Sequence, residues 1–134
     1  MAYTTKAISK GGREGRAHLD NNGLALSMAF PKELGGAGDG HNPEQLFALG
    51  YSACFNQAVI ALARKHGIDP AKAVVTCQVT IDKDDVSFAL KADITLSVPG
   101  ADKAAVQALL DDAHKICPYS RATRGNVPVT LTVV

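Results

Sequence analysis

Apolar and polar residues alternate in three short stretches near the N-terminus, and each stretch is separated from the next by glycine or asparagine. The stretches read YTTKAIS, EGRAHLD and LALSMAF. Alternation with a period of two, broken by Gly and Asn, is typical of short antiparallel strands. We therefore predict a small N-terminal sheet, with a hairpin turn at LDNNGLAL, residues 19–26.

The longest apolar run follows a glycine-rich stretch and predicts a helix from Pro43 to about Lys65. Asn42 is a suitable N-cap, Pro43 favours the first helical position, and Gly67 favours the end of the helix. Residues 45–63 carry no charged side chain, and this length approaches that of a bilayer span. Polar side chains interrupt the run, and aromatic or basic belts do not flank both ends. We therefore interpret it as a buried helix and expect no membrane association.

Longer alternating stretches follow in VVTCQVTID and VSFALKADITLSV, which predict two strands joined by a hairpin at KDD. Between Pro99 and Cys117 the apolar residues recur at helical spacing. They predict an amphipathic helix that is capped by Asp102 and has Cys117 on its buried face. The terminal VPVTLTVV predicts a closing strand, and Pro128 favours a position at the edge of a sheet.

Composition and charge exclude several classes of protein. The 134 residues are 46% hydrophobic and 20% charged, which is typical of one globular domain, here spanning 1–134. Fourteen basic against thirteen acidic side chains give a net charge of +1, so we expect no nucleic-acid partner. The start MAYTTKAISKGG lacks the apolar core of a signal peptide, which predicts a cytoplasmic protein. The helix predicted from Pro43 is apolar on nearly all sides, and a chain this short cannot bury all of them. We therefore infer a homodimer.

Three cysteines, Cys54, Cys77 and Cys117, are candidates for chemistry. An odd number at long spacings suits neither a secreted disulfide framework nor a zinc finger. Residue type alone favours a structural role for each thiol, because free cysteine commonly packs as a small apolar residue. A redox pair of Cys54 and Cys117 is the alternative, which spacing cannot establish. His114 and Cys117 would supply only two metal ligands, so we expect no metal site.

A reactive Cys54 would require a nearby cation, because burial raises the pKa of a thiol. Glu44 precedes Cys54 by ten residues, which places the two about 80° apart around the helix. A carboxylate there could hold an arginine beside the sulfur, although an acid in the first helical turn is also favourable by itself. With an effective dielectric near 20, a positive charge about 4 Å away favours the thiolate by roughly 4 kcal/mol. The candidate cations, whose alternative role is a solvated surface, are Arg13, Arg16, Arg121 and Arg124.

Two longer segments resemble a known family. NPEQLFALGYSACF, residues 42–55, and CPYSRATRGNVPV, residues 117–129, resemble the two signature segments of the organic hydroperoxide resistance (Ohr) family, within the Ohr/OsmC superfamily. GGREG and PKELGGAGDGHNPEQ fit the same family, and the resemblance covers essentially the whole chain. It implies an α+β fold in which antiparallel sheets wrap around long central helices. It also implies an intertwined OsmC-like homodimer with two active sites at the subunit interface.

The resemblance also implies residue roles. Cys54 is similar to the family's peroxidatic cysteine, and Cys117 to its resolving cysteine. Arg13 matches the arginine that activates the thiolate, and Glu44 the carboxylate that holds this arginine. Arg121 is a departure, since the family usually has Asn there.

The reaction implied by the resemblance is the reduction of an organic hydroperoxide to an alcohol, through a sulfenic acid and then a disulfide. Dihydrolipoamide on a lipoylated protein, or another small dithiol, would regenerate the thiols, and no bound cofactor is implied. We expect an apolar pocket lined by Phe47 and Phe55 to favour organic peroxides over hydrogen peroxide. The alternatives are an OsmC-type stress protein that binds a hydroperoxide or hydrophobic ligand and oxidises incidentally, and a structural dimer with inert thiols.

Overall fold

The structure is a computed structural model that describes residues 1–21 and 23–134. Short 3-10 turns connect some of the elements, and they are Gly12–Glu14, Lys32–Leu34, Arg64–His66 and Pro70–Lys72. The strands and α-helices of this described part are, in chain order, β1 (Ala7–Lys10), β2 (Arg16–Leu19), β3 (Ala25–Ser27), α1 (Pro43–Ala63), β4 (Val74–Lys83), β5 (Phe88–Ser97), α2 (Lys103–Ile116), α3 (Pro118–Thr123) and β6 (Val129–Val133).

The described residues divide into two units, Met1–Leu46 and Phe47–Val134. The first unit contains the antiparallel sheet β1-β2-β3, as predicted. β1 begins at Ala7, later than the alternating pattern predicted. The hairpin that joins β2 and β3 is confirmed by their pairing, but Asn22 of the predicted turn lies outside the described residues. A single domain over 1–134 stays a prediction.

Helix α1 begins at Pro43 because Asn42 caps it. The Asn42 Oδ1 accepts a hydrogen bond from the Gln45 backbone N at 2.9 Å, and Gln45 Oε1 accepts one from the Asn42 backbone N at 3.1 Å. This reciprocal pair is a capping box, and it satisfies two backbone donors that the helix itself leaves free. After the 3-10 turn Arg64–His66, Gly67 ends the helical segment with φ of 71°. The predicted start and end are both confirmed.

Only one face of α1 is buried in the described chain, which agrees with the expectation that one short chain cannot cover so apolar a helix. Tyr51, Phe55 and Val59 are fully buried, whereas Leu49 and Ile60 remain 66% and 41% exposed. Among the described residues, one helical stretch, Pro43–His66, has the length and apolar composition of a membrane span. Core helices of water-soluble proteins pass the same test, so this is weak evidence for a membrane protein.

The second unit contains a sheet with strand order β4-β5-β6. β4 and β5 form an antiparallel hairpin, as predicted, with Cys77 opposite Ile94. β6 pairs parallel to β5, so this sheet is mixed, whereas the resemblance implied antiparallel sheets. The reason is that α2 and α3 lie between the two strands in sequence, and such a crossover returns the chain in the same direction. β6 lies at the edge of the sheet, as predicted from Pro128.

The core of the second unit lies between this sheet and two helices. Asp102 caps α2 as predicted, because its Oδ2 accepts a hydrogen bond from the Ala105 backbone N at 3.1 Å. The spacing also predicted the buried face of α2 correctly, except at the last apolar position, Ile116, which is exposed. Each large apolar side chain in this core contributes roughly 1.5–3 kcal/mol by its burial. The buried residues include Tyr51, Phe55, Val59, Ile94, Leu96, Val106, Leu109, Leu110, Ala113 and Cys117.

Candidate active site

The structure brings the thiols of Cys54 and Cys117 together, with their Sγ atoms 3.7 Å apart. Cys54 lies in the middle of α1, and Cys117 lies at the junction where α2 ends and α3 begins. Cys117 is fully buried, as its position on the apolar face of α2 predicted. A disulfide bond is about 2.0 Å long, so the two sulfurs need to approach by roughly 1.7 Å to form one. Neither helix has to unfold for so small a movement.

Pro118 explains why the chain bends at Cys117. Proline cannot continue α2, but its fixed φ suits the first position of a new helix, and α3 begins there. Cys117 itself has φ of −58° and ψ of 123°, outside the helical region. Its backbone N still donates to the Ala113 carbonyl at 2.9 Å, while its carbonyl accepts from the Arg121 backbone N at 2.9 Å. Cys117 is therefore the last residue tied to one helix and the first tied to the next.

Burial raises the pKa of the Cys54 thiol above its ordinary value. The backbone N–H of Tyr119 acts in the opposite direction because it favours the thiolate, and the neighbouring Cys117 thiol adds to the rise. The sequence predicts that a reactive Cys54 requires a nearby cation to lower this pKa. In the single chain the cost of desolvating the charged sulfur is the largest effect, and the pKa moves upward.

Arg13 and Glu44 form the ion pair that the sequence predicted. Arg13 Nη1 donates to Glu44 Oε2 at 2.8 Å, and Arg13 Nη2 donates to Glu44 Oε1 at 2.6 Å. This bidentate geometry is the strongest arrangement of guanidinium and carboxylate. It lowers the pKa of Glu44, chiefly through the hydrogen bonds from Arg13, and raises the pKa of Arg13. The guanidinium carbon also lies 5.7 Å from the centre of the Phe30 ring.

The GGREG stretch presents Arg13 on a tight loop. Gly11 and Gly12 have φ of 82° and 58°, a left-handed conformation that other residues rarely adopt. Gly15 leaves no room for a side chain, because a Cβ atom there would overlap the carbonyl of Lys10 and the backbone of Gly11. Three glycines therefore make the turn between β1 and β2 possible, and the arginine lies within its 3-10 segment.

The predicted peroxide pocket is not formed by Phe55. This side chain is fully buried in the core, where its ring lies 6.4 Å from both Tyr51 and His114. Phe47 is half-buried and stacks on Tyr51 with ring centres 5.9 Å apart. Helical periodicity explains the error, since Phe55 faces the same core as Tyr51 and Val59, four residues away on either side. The first unit has an apolar cavity of about 180 Å³, lined by Ala7, Ala17, His18, Leu19, Leu24, Leu26 and Leu46.

Sequence reasoning missed a network of hydroxyl groups next to Cys117. Tyr51 Oη lies 2.8 Å from Ser120 Oγ and 3.3 Å from Thr123 Oγ1, and all three residues are buried. Ser120 Oγ also lies 2.8 Å from His114 Nδ1. Burial and the charge of Arg124 lower the pKa of His114. Pro118 at a helix start was the available signal for α3, but nothing in the sequence joins Ser120 to Tyr51.

Cys77, Arg121 and Arg124, the other candidates named from the sequence, are not part of the Cys54–Cys117 pair or of the Arg13–Glu44 ion pair. Burial, with a contribution from Asp93, raises the pKa of Cys77 to about 11, so this thiol is protonated at neutral pH and fits the structural role we predicted. Arg121 is exposed on α3. Arg124 donates a hydrogen bond to the His114 carbonyl, which ties the end of α3 to the end of α2.

Comparisons with known proteins agree with this fold. The family model for OsmC-like protein matches residues 36–132. An organic hydroperoxide resistance protein of Xanthomonas axonopodis pv. citri is 47% identical over 135 residues, which cover 99% of this chain and 95% of that protein. The crystal structure of an organic hydroperoxide resistance protein from Legionella pneumophila superposes with a TM-score of 0.91 at 40% identity, and covers 99% of this chain and 98% of that one.

A second crystal structure adds a ligand. It is a putative organic hydroperoxide resistance protein from Vibrio cholerae with captopril bound in one of the active sites, and it matches with a TM-score of 0.91 at 37% identity over 99% of this chain and 92% of that one. The chain therefore belongs to the OsmC-like family, in its branch of organic hydroperoxide resistance proteins. The α+β class that the sequence predicted is that of this family.

Proposed function

We propose that this protein is a thiol-dependent peroxidase that reduces organic hydroperoxides, with Cys54 as the peroxidatic and Cys117 as the resolving cysteine. The separation of 3.7 Å between their sulfurs is the observation that carries the proposal. Two reduced thiols held this close can form a disulfide with little movement of either helix. The names of the relatives from Xanthomonas and Legionella support an organic hydroperoxide as the substrate.

The reaction has two steps on the protein. The Cys54 thiolate attacks the terminal peroxide oxygen, the O–O bond breaks, and the alkoxide leaves as an alcohol after taking up a proton. Cys54 is then a sulfenic acid. The Cys117 sulfur attacks the Cys54 sulfur, an S–S bond forms, and the sulfenic hydroxyl leaves as water.

We propose that Arg13, held by Glu44, supplies the positive charge that stabilises the Cys54 thiolate. Both charged residues are fixed by two short hydrogen bonds. Glu44 precedes Cys54 by ten residues, which corresponds to a rise of about 15 Å along a helix axis. The angle of about 80° between them therefore does not by itself predict that an arginine held by Glu44 reaches the sulfur. A homodimer with its active sites at the subunit interface, which the resemblance to the family implies, would offer the second chain as an additional source of this charge.

The exposed apolar face of α1 supports that homodimer, because Leu49 and Ile60 would be covered by a second subunit.

A dithiol is required to regenerate the enzyme, since the disulfide must be reduced after each cycle. We propose dihydrolipoamide on a lipoylated protein as the donor, or another small dithiol, with no bound cofactor. A reducing cytoplasm is the compartment in which such a pair functions. Phe47 stays a candidate for contact with the peroxide tail.

Turnover distinguishes an enzyme from a binding protein. The reduced protein is mixed with excess cumene hydroperoxide and dihydrolipoamide, and peroxide loss is measured over time. We expect many equivalents of peroxide to be consumed per chain, with Cys77→Ala as active as the wild type and Cys54→Ser inactive. Consumption that stops after about one equivalent per cysteine pair, with dithiol still present, would instead indicate a ligand-binding protein with incidental oxidation.

A further inference from the structure

Gly50 lies in the interior of α1 directly beneath the ring of Tyr119. A Cβ atom at position 50 would lie 2.7 Å from Tyr119 Oη, 3.1 Å from Cε2 and 3.2 Å from Cζ. Contacts below 3.0 Å do not occur for real Cβ atoms, so any other residue would displace the tyrosine. Glycine is a poor helix former, and its presence inside a helix commonly has a packing reason. Here the reason is the space that Tyr119 occupies.

The Tyr119 ring fits between two aromatic side chains of the same helix. Its centre lies 6.2 Å from that of Phe47 and 5.7 Å from that of Tyr51, with planes inclined by 56° and 58°. Tilted pairs at these distances are favourable for aromatic rings. Gly50 therefore forms the floor, and Phe47 and Tyr51 the walls, of a seat for Tyr119 on α1. We call these three residues the Tyr119 seat.

A second attachment holds the next residue of α3. The Tyr51 hydroxyl reaches Ser120 Oγ at 2.8 Å and Thr123 Oγ1 at 3.3 Å. All three side chains are buried, so solvent does not readily replace a lost partner. Tyr51 thus contributes its ring to the Tyr119 seat and its hydroxyl to the polar attachment.

Both attachments bear on the two sulfurs. α3 begins immediately after Cys117, whose Sγ lies 3.7 Å from the Cys54 Sγ. The position of α3 on α1 therefore determines where the Cys117 sulfur lies. We propose that Gly50, Tyr51, Tyr119 and Ser120 are positioning residues, which hold the Cys117 sulfur beside Cys54 and thereby set how readily the disulfide forms. This inference deepens the proposed function and rests on its assignment of Cys54 and Cys117 as the redox pair.

The test uses equilibrium with glutathione and needs no peroxide. Two protein thiols react with one glutathione disulfide to give the Cys54–Cys117 disulfide and two reduced glutathiones, so the equilibrium constant measures the effective concentration of one thiol at the other. All variants carry Cys77→Ala to remove the third thiol. Alkylation and mass spectrometry give the oxidised fraction at a temperature where circular dichroism shows every variant to be folded.

We expect Gly50→Ala, Tyr51→Phe and Ser120→Ala each to lower this equilibrium constant by tenfold or more, which corresponds to about 30 mV in reduction potential. Ser52→Ala is the matched control, since it removes a hydroxyl from the exposed side of α1 that bonds only the Leu49 carbonyl. Adding Tyr119→Phe to Gly50→Ala should recover part of the loss, because it removes the atom nearest to the new Cβ.

Tyr119→Ala keeps the experiment decisive if Gly50→Ala does not fold, because Tyr119 is 39% exposed and its removal leaves α1 intact. The same tenfold loss is expected. Folded variants whose glutathione equilibrium stays within about twofold of the Ser52→Ala control would overturn the inference and leave the proposed function intact. A wild-type protein that forms no Cys54–Cys117 disulfide at all would overturn both.

Discussion

Arg13 and Glu44 form an ion pair that is largely shielded from solvent. Their side chains are mostly covered, at 29% and 13% exposure, and two parallel hydrogen bonds fix the planes of the guanidinium and the carboxylate. A charge fixed in this way needs no reorganisation when an anion forms nearby. The environment of Cys54 disfavours a charge, since burial raises the pKa of its thiol. In the proposed peroxidatic step, the charge of Arg13 would compensate for the cost of burying the Cys54 thiolate.

Glu44→Gln tests this ion pair through the pH dependence of stability. The pKa of Glu44 is lowered in the folded chain by its hydrogen bonds from Arg13. Its stabilising contribution is therefore complete above the ordinary glutamate pKa of about 4.3 and is lost as the pH falls through the folded value. We expect the wild type to exceed the variant by roughly 1.5–3 kcal/mol in free energy of unfolding near pH 7, and by less at pH 3.

Urea denaturation at a series of pH values measures this difference. Glu14→Gln is the matched control, because Glu14 is exposed on the same loop as Arg13 and should show no such gap. A gap for Glu44→Gln that is the same at pH 7 and pH 3 would contradict the ion-pair account.

At the level of the elements, local signals predicted most of the fold. Asn42, Pro43 and Gly67 predicted the ends of the helical segment because capping depends on the residues themselves. The parallel direction of β6 was not predictable in this way, since strand direction follows from the crossover and not from the strand's own sequence. α3 was missed because six residues show too little periodicity.

In the candidate site, too, some residues could be predicted from the sequence and others could not. Residue reasoning suggested Glu44 as a carboxylate that could hold an arginine, with Arg13 as one of four candidate cations. The roles of Cys54 and Cys117, and the choice of Arg13, came only through resemblance to a family. Residue chemistry alone left the cysteines as structural or redox-active. The contacts of Tyr51 with Ser120 join residues 69 positions apart, and no local pattern encodes such a pairing.

Asn42→Ala tests the cap that starts α1. The substitution removes the acceptor for the Gln45 backbone N–H and also leaves the Gln45 side chain without its reciprocal role. We expect a loss of about 1 kcal/mol in the free energy of unfolding. Asn42→Asp keeps an acceptor and should lose much less. Equal losses in the two variants, measured by thermal or urea unfolding, would show that the side-chain cap does not stabilise the helix.

At the level of the whole molecule, the apolar surface of α1 is unusual for a free monomer. Leu49 is 66% exposed and Ile60 is 41% exposed on a helix whose opposite face lies in the core. We therefore expect a homodimer that buries this face, as the uncharged run in the sequence also predicted.

Leu49→Lys tests that expectation by placing a charge on the exposed face. Sedimentation should show a dimer for the wild type at micromolar concentration and a shift toward monomer for the variant. Val86→Lys, which changes an apolar side chain that is 93% exposed in the β4–β5 turn, should remain dimeric. A wild type that sediments as a compact, fully active monomer would contradict the dimer.

The order in which the two thiols react tests the central claim most directly. The reduced protein is mixed rapidly with one equivalent of cumene hydroperoxide, and mass spectrometry then locates the added oxygen. We predict that Cys117→Ser reduces this equivalent as fast as the wild type and accumulates a sulfenic acid on Cys54, and that Cys54→Ser loses the fast reduction. Fast reduction by Cys54→Ser, with the oxygen on Cys117 or Cys77, would contradict the account.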